Sequence, residues 1–159
     1  MTLIKSISGI RGTIGGKPGE GLSPVDVVKF TAAFAAWVKS NHGGSKVRIV
    51  VGRDARISGP MVSSLVISTL TAMGCDVTDI GLASTPTTEI AVTEEKAQGG
   101  IILTASHNPG NWNALKLLNK KGEFISGNDG ELVLRLAEAG DFSFSEVDGL
   151  GKVRSSDYT

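Results

Sequence analysis

The chain has 159 residues, 40% of them hydrophobic and 20% charged, with 16 basic residues against 16 acidic ones. That length fits one domain of ordinary size with its own core. The charge balance leaves no global field to draw the chain to nucleic acid or an anionic membrane surface, so any anion it binds must be caught locally. No apolar stretch approaches the roughly 20 residues that span a bilayer. The start, Met1-Thr2-Leu3-Ile4-Lys5, lacks the apolar core of a signal peptide, and a cytoplasmic protein is the expectation. Cys75 is the only cysteine, which removes a disulfide framework and a cysteine-type metal cluster and leaves a core or helix-end thiol.

In chain order, Ser8-Gly9-Ile10-Arg11-Gly12 comes first and reads as a glycine-flanked bend that presents Arg11. Ser23 as N-cap, Pro24 at the first helical position and Asp26 three after the cap then announce a helix. Val27, Phe30, Phe34, Trp37 and Val38 give it one apolar face, and it ends near Asn41-His42-Gly43-Gly44. Val47 to Val51 suits a strand. A second helix begins at Pro60, buries Val62, Leu65, Val66, Leu70 and Met73, and stops at Gly74. Asp76 to Ile80 is the next strand, Thr85-Pro86 opens a third helix to about Lys96, and Gly100 to Leu103 is a buried strand.

After Leu103 the pattern changes. Ala114 to Asn119, Lys120-Lys121-Gly122-Glu123 and Phe124-Ile125 read as a β-hairpin with the glycine in its turn. A last helix covers Asn128 to Ala139. Alternating strands and helices imply βαβ units: an α/β domain of three α/β/α layers, its sheet mixed but mostly parallel, with helices on both faces. The domain is expected over residues 1–140, with residues 141–159 a linker toward a second domain.

Four polar or glycine-rich segments fall at junctions of this pattern: Ser8 to Gly12, Gly52 to Arg56, Thr104 to Pro109 and Asn111 to Lys116. Loops that follow strands of a doubly wound sheet gather at one edge, so these segments can share a site. Arg11 offers a planar fork suited to phosphate, or is a surface arginine in a flexible loop. Arg53-Asp54-Ala55-Arg56 reads equally as ligand contact or as an ion-pair network bracing its loop. Lys116 interrupts the apolar Ala114-Leu115-Lys116-Leu117-Leu118 and must face either solvent or a cleft. Thr104-Ala105-Ser106-His107-Asn108-Pro109 sets a hydroxyl, an imidazole and a carboxamide at the end of a strand, where an ordinary Asn-Pro turn is the plainer alternative.

Several chemistries fail on spacing. Ser106 and His107 are neighbours, so their side chains diverge and cannot form a serine-histidine dyad, and no Gly-x-Ser-x-Gly elbow surrounds the serine. Gly12-Thr13-Ile14-Gly15-Gly16-Lys17-Pro18 misplaces the first glycine of a P-loop and has proline at its Ser/Thr position, and no Gly-x-Gly-x-x-Gly occurs. A hydroxyl without a base beside it can still carry a phosphoryl group, which asks for positive charge and positioning rather than a resting deprotonation.

Read together, Gly9 to Gly12, Gly52-Arg53-Asp54-Ala55-Arg56-Ile57-Ser58-Gly59, Gly81 to Pro86, Thr104 to Pro109 and the asparagine-lysine loop ending at Lys116 resemble the first domain of the α-D-phosphohexomutase superfamily. Its members are phosphoglucomutases, phosphomannomutases and phosphoglucosamine mutases. The resemblance implies a phosphotransferase of the isomerase class that interconverts hexose 6-phosphate and hexose 1-phosphate through a bisphosphate intermediate. It implies that Ser106 is a phosphoserine, Lys116 a general acid/base at the sugar hydroxyl and Arg11 a group stabilising the transferred phosphoryl. His107 would belong to the same shell, and Asn108, Arg53 and Asn113 would bind substrate or phosphate. Mg²⁺ is implied on a phosphoserine oxygen, held mainly by a later domain, with a hexose bisphosphate as activator. Partners are then the hexose phosphate and the later domains, without which turnover is expected to be negligible. General similarity leans toward a phosphoglucosamine mutase or a dual phosphoglucomutase/phosphomannomutase. The alternative is a non-catalytic module that binds phosphate or a phosphosugar.

Overall fold

The Ser23 hydroxyl accepts the Asp26 amide at 3.3 Å while the Asp26 carboxylate accepts the Ser23 amide at 3.1 Å, closing the expected capping box. In the computed structural model, which describes residues 1–6, 9–43 and 46–159, this box starts α1 (Pro24–His42), and left-handed Gly43 ends it. Ser8 and Gly44, named in the sequence reading, lie outside the described residues. The other helices are α2 (Gly59–Ala72), α3 (Thr85–Glu94) and α4 (Gly127–Ala139). The strands are β1 (Ile4–Ser6), β2 (Gly9–Thr13), β3 (Arg48–Arg53), β4 (Asp76–Leu82), β5 (Gly99–Leu103), β6 (Trp112–Leu118) and β7 (Val153–Ser155). Among the described residues no helix is long and apolar enough to cross a membrane.

The strands form one mixed sheet in the order β1-β2-β6-β5-β3-β4-β7. Its β5-β3-β4-β7 half is parallel and its β1-β2-β6-β5 half antiparallel. From β3 the chain crosses through α2 to β4 on one side, then returns through α3 to β5 on the other side of β3. Right-handed crossovers in opposite directions must put their helices on opposite faces. Hence α2 packs with α1 and α4 over a core that includes Phe30, Phe34, Leu70, Ile49, Ile101 and Leu115. Facing them, α3 alone buries Ala91 and Val92 against Val50, Ile102 and Leu118, and it packs chiefly on β3 and β5. On α3's side, β6 before Leu118, together with β2 and β1, is left without a helix.

Three expectations change. Gly9 to Thr13 is a strand rather than a bend: its backbone is taken up by β1 and β6, and Ile10 is buried while Arg11 stays exposed. The hairpin after β6 has its turn at Lys120 to Glu123, but its return arm makes only a bridge between Leu118 and Phe124 before chain direction changes. Residues 141–159, expected as a linker, close the edge of the sheet. β7 lies parallel to β4, the Ser145 and Gly151 amides donate to Ala72 and Thr71 carbonyls, and Gly151 sits directly on the Cys75 backbone. Cys75 itself is wholly buried, and that burial pushes its thiol up to about 11.

The tail ends in a cluster around Glu95, just past α3. The Tyr158 hydroxyl donates to Glu95 Oε2 at 2.7 Å, and Arg154 donates to Oε1 at 2.7 Å. The Tyr158 hydrogen bond, foremost, holds the Glu95 carboxyl below its usual value, while burial and then Glu95 push the Tyr158 hydroxyl up to about 12. The folded tail therefore keeps the tyrosine proton where an unfolded chain would lose it. Its contribution to stability is full below pH about 10 and fades as pH rises toward 12, whereas that of Glu95 is lost on acidification below the ordinary glutamate range. Tyr158 is the only tyrosine, so tyrosinate absorbance reports it alone. Titration should give a midpoint near 12, and Glu95→Gln should move it down toward the free value; an unchanged midpoint in that variant would refute the contact.

Candidate active site

Where the strand order reverses, the C-terminal ends of β3 and β5 open a crevice, the usual position of a ligand in such sheets. The Asp54 amide donates to the Leu103 carbonyl at 3.1 Å, so Asp54 and Thr104 leave the sheet side by side. A carboxylate only accepts, so the 2.6 Å contact between them has the Thr104 hydroxyl donating to Asp54 Oδ2. Thr104 Oγ1 then accepts the Ser106 amide at 3.2 Å, and the Asn108 amide closes the turn on the Ala105 carbonyl at 2.9 Å. Between these anchors Ser106 has φ +46°, the left-handed region, which costs a residue with a side chain on the order of 1–3 kcal/mol.

That backbone turn brings the Ser106 hydroxyl to the antiparallel half of the sheet. Lys116 Nζ donates to Ser106 Oγ at 2.9 Å. Lys116 lies opposite Ile102 on β5 and opposite Gly9 on β2, hence on the face that α3 leaves open. Arg11 stands two residues further along β2, paired with Ala114 on the same face. Ser6, Gly9, Arg11, Ala114 and Lys116 line a cleft of about 340 Å³ there. Gly9, with φ +151°, lets β2 approach: a Cβ at this position would strike the Leu115 carbonyl oxygen. The Arg11 guanidinium makes no hydrogen bond or ion pair with another described residue.

Arg56 holds the loop from beneath. Its Nη1 donates to the carbonyls of Pro109 at 2.7 Å and Trp112 at 3.1 Å, and its Nη2 to those of Ser106 at 3.0 Å and Asn108 at 2.9 Å. Its Nε meets Asp54 Oδ2 at 3.3 Å, so the carboxylate joins Thr104 and Arg56 into one network. Sequence reasoning allowed such a brace for the Arg53 to Arg56 segment but missed the Asp54-Thr104 bond. The only available sign was that both residues lie just past a strand, Thr104 directly after Leu103 and Asp54 directly after Arg53.

The remaining residues divide. His107 is exposed on the loop and Asn108 half-buried, both beside Ser106. Arg53 is not brought to the cleft: it faces the start of α2, against Gly59, with Nη1 donating to the Asp54 carbonyl at 3.2 Å. Asn113, expected to bind substrate or phosphate, is fully buried on the opposite face of β6 from Lys116. Its carboxamide donates to the Ser58 hydroxyl at 2.8 Å and accepts the Ala114 amide at 2.8 Å, tying β6 to the start of α2. An odd number of positions from Lys116 places it there.

These residues do not by themselves fit a Mg²⁺ site. Among the described residues no three His, Cys, Asp or Glu side chains come together, and both Asp54 oxygens are already engaged by Thr104 and Arg56. From this chain the cation would have little beyond the oxygens of a phosphate on Ser106.

Residues 3–144 match the family model described as phosphoglucomutase/phosphomannomutase, alpha/beta/alpha domain I. The chain belongs to this family. Within the phosphohexomutases it is similar to the phosphoglucomutase/phosphomannomutase of Thermococcus kodakarensis, 36% identical over 148 residues that cover 92% of the chain and 32% of the relative. It is also similar to a probable phosphoglucosamine mutase of Methanosarcina barkeri, 40% identical over 110 residues, covering 69% of the chain and 25% of that protein. Among solved structures, a phosphoglucomutase/phosphomannomutase family protein from Burkholderia thailandensis superposes with TM-score 0.81 at 26% identity, over 97% of this chain and 33% of the other. The chain thus spans about a third or less of the length of these relatives.

In this phosphohexomutase domain, Asn113→Ala should cost about 1–3 kcal/mol, since it leaves a buried amide and the Ser58 hydroxyl without partners. Arg11→Ala, at an exposed and unbonded side chain, should stay within about 0.5 kcal/mol. Urea unfolding of the two variants checks the contrast, and equal losses would contradict the structural division drawn between them.

Proposed function

We propose that this chain is the phosphoserine-bearing part of a phosphohexomutase, which interconverts hexose 6-phosphate and hexose 1-phosphate through a hexose bisphosphate. The observation that carries the reading is the 2.9 Å contact of Lys116 Nζ with Ser106 Oγ, at the mouth of a cleft that also holds Arg11. A serine in this setting needs no neighbouring base. Phosphorylated Ser106 gives up its phosphoryl group as the P–Oγ bond breaks and phosphorus bonds to a sugar hydroxyl oxygen. The hydroxyl proton leaves through Lys116 Nζ and is returned to Ser106 Oγ, so charge and protons balance. The bisphosphate turns over in the site and gives its other phosphate back to Ser106 by the reverse step.

Arg11 supplies a fixed positive charge beside the transferred group, where a guanidinium fork suits phosphoryl oxygens. His107 and Asn108, on the same loop, contact the phosphoryl or the sugar from the solvent side. Arg53 and Asn113 have no direct part in this scheme. From this chain only the oxygens of a phosphate on Ser106 would hold a Mg²⁺, which would supply charge neutralisation there, and its protein ligands would come from outside the described residues. Further domains supply those ligands and enclose the sugar. The names of the relatives, phosphoglucomutase/phosphomannomutase and phosphoglucosamine mutase, support a hexose phosphate as the substrate class.

The longer protein that carries this chain should convert a hexose 6-phosphate to the 1-phosphate in the presence of a hexose bisphosphate. It should gain about 80 Da of phosphate on Ser106, read by intact mass. Ser106→Ala should abolish both. Unchanged turnover in that variant would overturn the assignment, and a parent that never takes up phosphate would leave a phosphosugar-binding module instead.

A further inference from the structure

An arginine guanidinium has five N–H donors in a rigid plane. In Arg56 every one is spent: Nε on Asp54, the two on Nη1 on Pro109 and Trp112, and the two on Nη2 on Ser106 and Asn108. No donor remains for a ligand phosphate, and with 12% of its side chain exposed the group is held in place largely out of solvent. Four of its five partners are backbone carbonyls, three in one loop and the fourth at Trp112 where β6 begins, and one of them belongs to Ser106, which sits in the left-handed region. The fifth, Asp54, is also bound by Thr104, whose oxygen accepts the Ser106 amide. The peptide groups before and after Ser106 are thus fixed from the same network, one through Thr104 and one directly.

We propose that Arg56 is the positioning residue of the Ser106 loop: by tying three loop carbonyls and that of Trp112 to Asp54 it holds Ser106 left-handed with its hydroxyl on Lys116, without itself touching the transferred group. The consequence for catalysis rests on the proposed function, while the consequence for the loop does not. A lysine at position 56 keeps the charge but has three donors around a point, so at least two of the five bonds are lost. The loop then relaxes toward the ordinary right-handed backbone and Ser106 Oγ leaves Lys116. A displacement of about 1 Å at a reacting atom is enough for a loss on the order of 10²-fold in turnover.

Two measurements on Arg56→Lys separate the possibilities. In the chain itself, amide hydrogen exchange over residues 104–112 should quicken while the amides of β3, β4 and β5 stay protected. In the longer protein, kcat should fall on the order of 10²-fold with KM for the hexose phosphate within about twofold, because positioning, not binding, is lost. Methylguanidine added to Arg56→Ala should restore part of kcat. A risen KM with kcat unchanged would make Arg56 a ligand group and overturn the proposal, as would unchanged exchange in the loop. If Arg56→Lys does not fold, Asp54→Asn, which loosens the anchor but keeps the arginine, should quicken the same loop, and full protection there would overturn it. A parent protein without mutase turnover would sink the functional reading, yet the exchange result would still decide the role of Arg56.

Discussion

Chain handedness and strand order together decide where chemistry can occur in this domain. Because β4 lies on one side of β3 and β5 on the other, the two right-handed crossovers send α2 and α3 to opposite faces and part the loops that follow β3 and β5. The polar residues that end these strands, Asp54 and Thr104, meet in the gap and need each other as hydrogen-bond partners. The single helix on α3's side cannot cover seven strands, so the antiparallel half of the sheet keeps one face open. Lys116 and Arg11 stand on that face. The site is therefore a seam between a parallel half that contributes the serine and an antiparallel half that contributes the cations.

Charge placement follows the same division. Of the three arginines in the two glycine-rich segments, Arg11 is exposed with no partner among the described residues, Arg53 leans on the start of α2, and Arg56 is consumed by backbone carbonyls. Similar residues in similar contexts thus have three different settings: one with its donors open to solvent, one against a helix start, one bonded to the carbonyls around a loop. Conventional hydrogen-bond satisfaction separates them, because a cation whose donors are all engaged cannot also bind a phosphate.

Much of the fold was legible from the chain. The helices announce themselves through caps such as Ser23 and Asp26 and through apolar spacing at Val27, Phe30, Phe34 and Val38, which reflect strong local rules. β2 and β7 were not, because their stability is not local. Gly9-Ile10-Arg11-Gly12-Thr13 has one large apolar residue and two glycines, and it becomes a strand only because β1 and β6 take up its backbone. Val153-Arg154-Ser155 is exposed throughout and is held by backbone pairing to β4 and by the Glu95 cluster. In the site, Ser106, Lys116 and Arg11 stand out as candidates in their segments, with an ordinary turn or a solvent-facing side chain left open for each, and the resemblance is what groups them. Asn113 was misplaced because its motif position gives no parity: whether a strand residue faces cleft or core depends on register, which only the pairing of β6 with β2 and β5 reveals.

Parity has a further consequence for the ten-residue path from Ser106 to Lys116. Side chains on β6 alternate between the face that carries Lys116 and the face of the larger core, with Leu115 and Leu117 buried on the latter. Inserting or deleting one residue between Ser106 and the strand could not be absorbed as a small shift of the lysine. If β6 slid by one, an ammonium group would be driven into the apolar layer and a leucine would be left over the serine. The length of that loop is consequently quantised in practice: an altered loop must bulge outward and leave β6 in register, or the domain forfeits its core and the contact of Lys116 with Ser106 in one event.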